Sequence, residues 1–392
     1  MTTGRRRTLA SAALVGLAIA LLVPIYNAPV WWVSLEAPNY PRESFPDGVR
    51  ILFHLNGVFS GCGSQAKDEV RIEEALDCAH EMDTINHYVG MYPIASGGPL
   101  EVFFSLFLVT LVGVVLLVPL LPGVRWRTVV MVVGFTAIIV WMGLAYYGEN
   151  GLRLQSARYL AGRITALGET GQADDAPREL SPGEALIARL KASLAEDTDA
   201  APAPEPPAAG EGGKGQSIAY LRAAFEQDHG RRATGGEAWR GSGAQLLAWH
   251  YEKGLGRYFR EQEVIGPMVA RMVRAGNILF GVIVAVMLGL LVVARRPSER
   301  LDGLLLLAPA GLPAYFLVAY SVWLWWYGHN MNDMGAFTLK SFMPTVFGQG
   351  KVAQFTTNSY PAYGFWLMVL FTALLLAAFV LRREPGAGRS GE

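Results

Sequence analysis

Two short stretches of this chain combine histidine with methionine. In Asn86-His87-Tyr88-Val89-Gly90-Met91 the imidazole and the thioether are four residues apart. In His329-x-Met331-x-x-Met334 the spacings are two and five. Thioether sulfur is a soft ligand and imidazole a borderline one, so a His/Met set favours Cu(I), whereas Cu(II) needs more nitrogen or oxygen. Methionine also persists as a ligand in an oxidising compartment, where a free cysteine tends to oxidise. The candidate ligands are therefore His87, Met91, His329, Met331 and Met334, and the candidate cofactor is copper. A plainer reading stands beside this one. Methionine near a membrane surface packs, and a histidine at a helix end bonds a backbone carbonyl.

Cys62 and Cys78 are the only two cysteines. On an oxidising side a disulfide is the default. Closing a loop of about 16 residues contributes roughly 3 kcal/mol in the chain-entropy model. The rival reading is a pair of thiolate ligands for copper or zinc. His229 and His250 have no second ligand close in sequence and read as surface or packing residues. Catalysis at His87 would need a carboxylate neighbour such as Glu81 or Asp83. Nothing marks either as more than a neighbour, so no catalytic residue is assigned and an enzyme is the weaker expectation.

The elements that must position these residues are dominated by hydrophobic runs. Apolar residues make up 52% of the chain and charged residues only 17%. A bilayer core takes about 20 apolar residues per helix. Six runs qualify, near 8–27, 102–121, 128–147, 275–294, 304–327 and 362–381, and none contains Asp, Glu, Lys, Arg or His. Arg5 to Arg7, Arg125 with Arg127, Arg295 with Arg296 and Arg300, and Arg382 with Arg383 all fall on one face of a six-span topology. The positive-inside rule makes that face cytoplasmic, so both termini are expected inside. Trp31 and Trp32, Trp141 with Tyr146 and Tyr147, the aromatic run 323–327, and Tyr363 with Trp366 fall at the opposite interface. All six histidines and both cysteines then lie outside. The first run could also be a signal peptide, but no small-x-small site follows it, and an uncleaved anchor is the better reading.

The expected architecture is a mainly α membrane protein with six transmembrane helices, a small α+β extracytoplasmic cap and a long extracytoplasmic helical hairpin. Its divisions are an anchor helix (1–27), the cap (28–99), spans two and three (100–147), a helical protrusion (148–274), spans four and five (275–327), an outer loop (328–361), and span six with its tail (362–392). In the cap, Val30–Leu35 and Val49–Gly57 read as strands, with a short helix around 67–80. VAQFTT (352–357) reads as a strand that pairs with the cap and brings His329 near His87. Span three is expected to continue outward as a helical stalk through Leu160 and Leu167, with further helices near 183–195 and 217–227. The Ala/Pro/Gly-rich stretch 198–216 reads as a flexible linker. Residues 258–272 lead back into span four.

The short inner loops hold no domain to grip an ATPase. Spans free of ionisable residues argue against ion-coupled transport. No Walker loop, dinucleotide fingerprint, haem-attachment motif or basic nucleic-acid patch is present, and the formal net charge is zero. INHYVGMYPI (85–94), VWWVSLEAPNYP (30–41) and FMPTVFGQGKVAQFTTNSYPAYG (342–364) together resemble a family of bacterial multispan membrane proteins that carry an NHYxGM motif and are associated with nitrous-oxide-reductase and copper gene clusters. The resemblance covers the first outer segment and the last outer loop. It leaves out the 149–274 insertion and the Cys62/Cys78 loop. It implies only a copper or respiratory context, with His87 and Met91 as the matched positions, and the expected location is the bacterial inner membrane. The expected function is that of a copper-binding accessory protein serving a periplasmic cuproenzyme. The alternative is a metal-free structural or assembly subunit of a membrane complex. The expected partners are the lipid bilayer and one of those proteins.

Overall fold

The computed structural model describes residues 3–38, 40, 42, 45–62, 78–92, 98–164, 167, 213–230, 237–256, 262–294, 299–332, 335–336, 340–352 and 354–383. Among the described residues five helices are long and apolar enough to cross a membrane: Arg6–Asn27, Pro99–Leu120, Gly123–Tyr147, Glu263–Val293 and Tyr363–Arg382. They belong to α1 (Thr3–Asn27), α3 (Pro99–Leu117, with a 3-10 turn beyond it), α4 (Gly123–Tyr147), α8 (Gln262–Ala294) and α11 (Tyr363–Arg383). Large apolar side chains such as Ile278, 66% exposed, and Val133, 63% exposed, point away from the protein. Such surface is stable only in an apolar solvent.

The fifth hydrophobic run is not one straight span. It divides into α9 (Glu299–Ala310) and α10 (Leu312–His329), bent by 44° across the break. Pro309 and Pro313 flank Gly311 there. Each proline lacks an N–H and its ring obstructs the carbonyl four residues back, so the helix cannot run through.

Helices α1 and α11 form a seam. Val15, Ala18, Leu22 and Ile25 of α1 meet Met368, Phe371, Leu375 and Ala378 of α11, all buried. Both sets repeat at three and four, the spacing that keeps one helix face against a partner. Polar groups on the seam are satisfied internally, as a bilayer requires. Ser11 Oγ donates to the Ala378 carbonyl at 3.1 Å, and Arg382 Nε donates to Ser11 Oγ at 2.9 Å.

The same two chain segments then pair as strands. Strand β1 (Pro29–Glu36) follows α1, and β5 (Phe355–Pro361) precedes α11. With β2 (Val49–His54), β3 (Gly57–Ser60) and β4 (Gly348–Val352) they make an antiparallel sheet of order β3-β2-β1-β5-β4. The β1–β5 register runs from Trp31↔Pro361 to Glu36↔Thr356. The expected pairing of the last loop with the first segment is therefore present. Its details differ, because Val352 belongs to β4 and the strand that pairs with β1 starts at Phe355. Trp31, 2% exposed, anchors the sheet to the helices. Its Nε1 donates to Ser359 Oγ at 2.8 Å, and its ring lies 5.7 Å from Tyr320 and 5.6 Å from Phe365.

Helix α2 (Cys78–Tyr88) lies on this sheet. Cys78, Met82 and Ile85 form one face and pack on Leu35, Val49 and Ile51. The helix runs on through residues 85–88, beyond the end expected at residue 80; residues 63–77 lie outside the description.

Residues Ala145–Arg257 form a separate compact unit. The expected stalk is interrupted at its root. Helix α4 stops at Tyr147, Asn150 takes a left-handed conformation (φ 56°), and a 3-10 turn follows over Gly151–Leu154. The sequence Gly148-Glu149-Asn150-Gly151 supplies the residues that tolerate this turn. The Asn150 N–H donates to the Arg240 carbonyl at 2.8 Å. Beyond it come α5 (157–164), α6 (Lys214–Gly230) and α7 (Gly243–Gly256). The helix expected near 217–227 is α6, which starts inside the stretch read as linker. Residues 183–195 and most of 198–216 lie outside the described chain. The return into span four is continuous, as α8 extends unbroken over 33 residues.

Candidate metal centre

The NHYxGM stretch ends helix α2. The Met91 N–H donates to the Asn86 carbonyl at 2.8 Å, and the Gly90 N–H donates to the His87 carbonyl at 2.9 Å. Gly90 has φ +76°. This is a Schellman cap, in which a left-handed glycine lets two backbone N–H groups satisfy the last carbonyls of a helix. The cap accounts for the glycine, and for the methionine after it as the apolar residue that such caps bury. Met91 is only 3% exposed.

The capped end docks on the segment that follows α10. The Asn332 N–H donates to the Gly90 carbonyl at 2.7 Å, and the Ala336 N–H donates to the Tyr88 carbonyl at 2.9 Å. A Cβ on Gly90 would sit 2.6 Å from the Asn332 oxygen, so no other residue fits. The two His/Met stretches expected to converge are thus joined directly through their backbones. Met91 and Met331 each adjoin one end of the Asn332–Gly90 bond. Two helix C-termini, of α2 and α10, meet here, and their partial negative charges favour a cation.

His87 sits in the last turn of α2, half-buried. Burial lowers its pKa below the ordinary histidine value of 6.5. That keeps the imidazole neutral, the form in which it can bind a metal. His329, the last residue of α10, is exposed. Its ring stacks on Trp325 at 4.6 Å, and its Nδ1 lies 2.8 Å from the Trp325 carbonyl. Met331 is half-buried, and Met334 lies outside the described residues. Met91 and Met331 therefore each neighbour a residue of the Asn332–Gly90 bond and His87 lies three residues before Gly90 on α2, while His329 bonds its own helix end. Asn86, 7% exposed, leaves its side-chain Nδ2 without a hydrogen-bond partner. The cap explains neither that buried amide nor His87.

The other candidates are placed as follows. Cys62 and Cys78 form a disulfide with Cα atoms 5.9 Å apart, so neither is a thiolate ligand. Glu81, one carboxylate neighbour considered for His87, accepts a hydrogen bond from Tyr40 Oη at 3.0 Å. Burial, then the Glu81 charge, raise the Tyr40 pKa. His229 stacks on Phe225 at 3.8 Å, the packing role expected of it. Among the described residues no group of three or more His, Cys, Asp or Glu is arranged to hold a metal ion.

One buried ionisable residue escaped the sequence reading: Arg163 on α5, 6% exposed. The signal was present, since it falls on the same face as Tyr159, Leu160 and Ile164, where the periodicity calls for an apolar side chain. Comparison with family models, curated proteins and solved structures finds no match for the chain.

Proposed function

We propose that this chain is a multi-pass membrane protein that handles Cu(I) at the junction between the end of α2 and the loop after α10. The supporting observation is the direct hydrogen bonding of the two His/Met stretches, Asn332 to Gly90 and Ala336 to Tyr88. It brings the backbones that carry His87, Met91 and Met331 side by side at two helix C-termini, which supports an imidazole and two thioethers acting together there. That is a soft, uncharged donor set of the kind Cu(I) takes. The arginine clusters support a bacterial inner-membrane placement with both termini cytoplasmic and the sheet-capped end outside, where a periplasmic cuproenzyme could receive the ion.

Anaerobic Cu(I) titration of the detergent-purified chain against a competing chelator tests this. About one Cu(I) per chain is expected, with a loss of roughly tenfold or more in affinity for both Met91→Leu and His87→Gln. Wild type competing no better than the double variant would overturn it.

A second reading is a metal-free assembly subunit. It is favoured by the cap itself, which accounts for Gly90 and Met91 without a ligand. Under this reading the wild type binds no Cu(I), and a reproducible membrane-protein partner co-purifies with it.

A further inference from the structure

Tyr159, Leu160, Arg163, Ile164 and Leu167 are each 6% exposed or less. Their spacing is the inward stripe of an amphipathic helix, and one of the five carries a guanidinium. The Arg163 Nε has no hydrogen-bond partner. The Cζ lies 5.6 Å from the centroid of the Tyr159 ring. Among the described residues no carboxylate pairs with it. In the same unit Glu226 is taken by Arg222, Glu237 by Arg240, and Asp228 by Lys253 and Trp249.

A fully buried arginine is rare unless it is paired. It cannot escape the cost by losing its proton, because guanidinium stays charged in proteins. Replacing a buried charge with an apolar residue often stabilises a fold. A guanidinium kept on the inner face of α5, with no counter-charge among the described residues, is a place where a bound anion would supply one. A guanidinium presents a planar fork of N–H donors that matches two oxygens of a carboxylate or phosphate, and here the Nε–H is one donor without a partner.

We propose that Arg163 is the anchor of an anion site within the 145–257 unit, binding a small carboxylate- or phosphate-bearing ligand along the edge of its guanidinium. The site is independent of the copper junction and needs no metal. The phosphate could be free in solution or carried on a lipid headgroup, and the test separates the two.

The experiment is thermal unfolding of the full detergent-purified chain. Wild type, Arg163→Met and Arg163→Lys are each melted in chloride, acetate, inorganic phosphate, or short-chain phosphatidic acid, at one ionic strength. The expected result is a saturable rise of roughly 4 °C with an oxyanion and none with chloride. A response to inorganic phosphate or acetate assigns a soluble ligand, and a response to phosphatidic acid alone assigns a headgroup. Arg163→Met should lose the rise and melt no lower than wild type in chloride, while Arg163→Lys keeps a weaker rise. Two results overturn the proposal. One is a wild type that shows no saturable rise with any oxyanion. The other is an Arg163→Met variant that melts well below wild type in chloride, which marks a guanidinium paired within the chain.

Discussion

The loop after α2 is fixed by four backbone hydrogen bonds, whereas the Arg163 Nε, in a side chain nearly as deeply buried as Met91, has no hydrogen-bond partner. The first site is closed by geometry and carries almost no charge. The second is a buried charge with no counter-charge among the described residues. A motif made of chemistry-bearing residue types can thus be largely a matter of chain geometry. A residue belonging to no motif can carry the stronger electrostatic demand. The two sites should also fail differently: the junction to changes of backbone freedom, Arg163 to changes of anion.

The largest effect is expected at Gly90. Gly90→Val forces a β-branched residue into the left-handed region and drives its Cβ toward the Asn332 oxygen, 2.6 Å away. The left-handed conformation alone costs an ordinary residue roughly 1–2 kcal/mol, and the steric overlap brings the total to about 3 kcal/mol or more. Denaturant unfolding should show this loss together with weakened Cu(I) binding. Arg163→Met, at an equally buried position, should lose no stability in chloride. Equal losses at the two positions would erase the distinction between them. Next in size is the disulfide. Cys62→Ser with Cys78→Ser releases the first turn of α2 and should cost about 3 kcal/mol. Part of that loss should reach the α2–α10 junction ten residues further along the same helix.

Much of the chain outside 145–257 was legible because its signals are periodic. The six hydrophobic runs, the first strand of the cap, the bridge between Cys62 and Cys78, and the pairing of the last loop with the first segment follow from composition and alternation, whereas the segment read as one strand over 49–57 turns after His54 and starts β3 at Gly57. The bend between α9 and α10 follows from Pro309, Gly311 and Pro313, but a hydropathy count treats those residues as part of one apolar run. The break after Tyr147 was hidden in another way. The apolar spacing resumes at Leu160, so the pattern looks continuous, and only the local turn residues Glu149-Asn150-Gly151 report the interruption. At the junction the histidine–methionine spacing was legible as chemistry. Its equally valid meaning as a Schellman cap depends on the φ of Gly90, which only the folded chain displays.

A smaller effect separates packing from ligation at Met91. Met91→Leu keeps volume and burial, so it should cost under about 1.5 kcal/mol in stability. It replaces the thioether with a group that cannot bind Cu(I). Unchanged unfolding with lost copper binding would make sulfur, and not shape, the reason for methionine there. Unchanged unfolding with unchanged binding would leave the cap as the whole explanation of the motif.

The smallest expected effect is a pH response, and it falls on one site only. Burial lowers the His87 pKa in the folded chain. The unfolded chain therefore takes up this proton first as pH falls. The stability linked to His87 is fully present above about 6.5, the ordinary histidine value, and is lost as pH drops from there through the folded pKa. Unfolding midpoints measured between pH 7 and pH 5 should decline, and His87→Gln should remove part of the decline. Subtracting the variant from the wild type cancels the other five histidines. The same shift keeps the imidazole neutral, so Cu(I) affinity should begin to fall at a lower pH than for a solvent-exposed histidine. Arg163 cannot respond in this window, because guanidinium does not titrate there. Acid should thus weaken the junction and leave anion binding in place, and phosphate should stabilise the 145–257 unit without changing the pH at which copper is released.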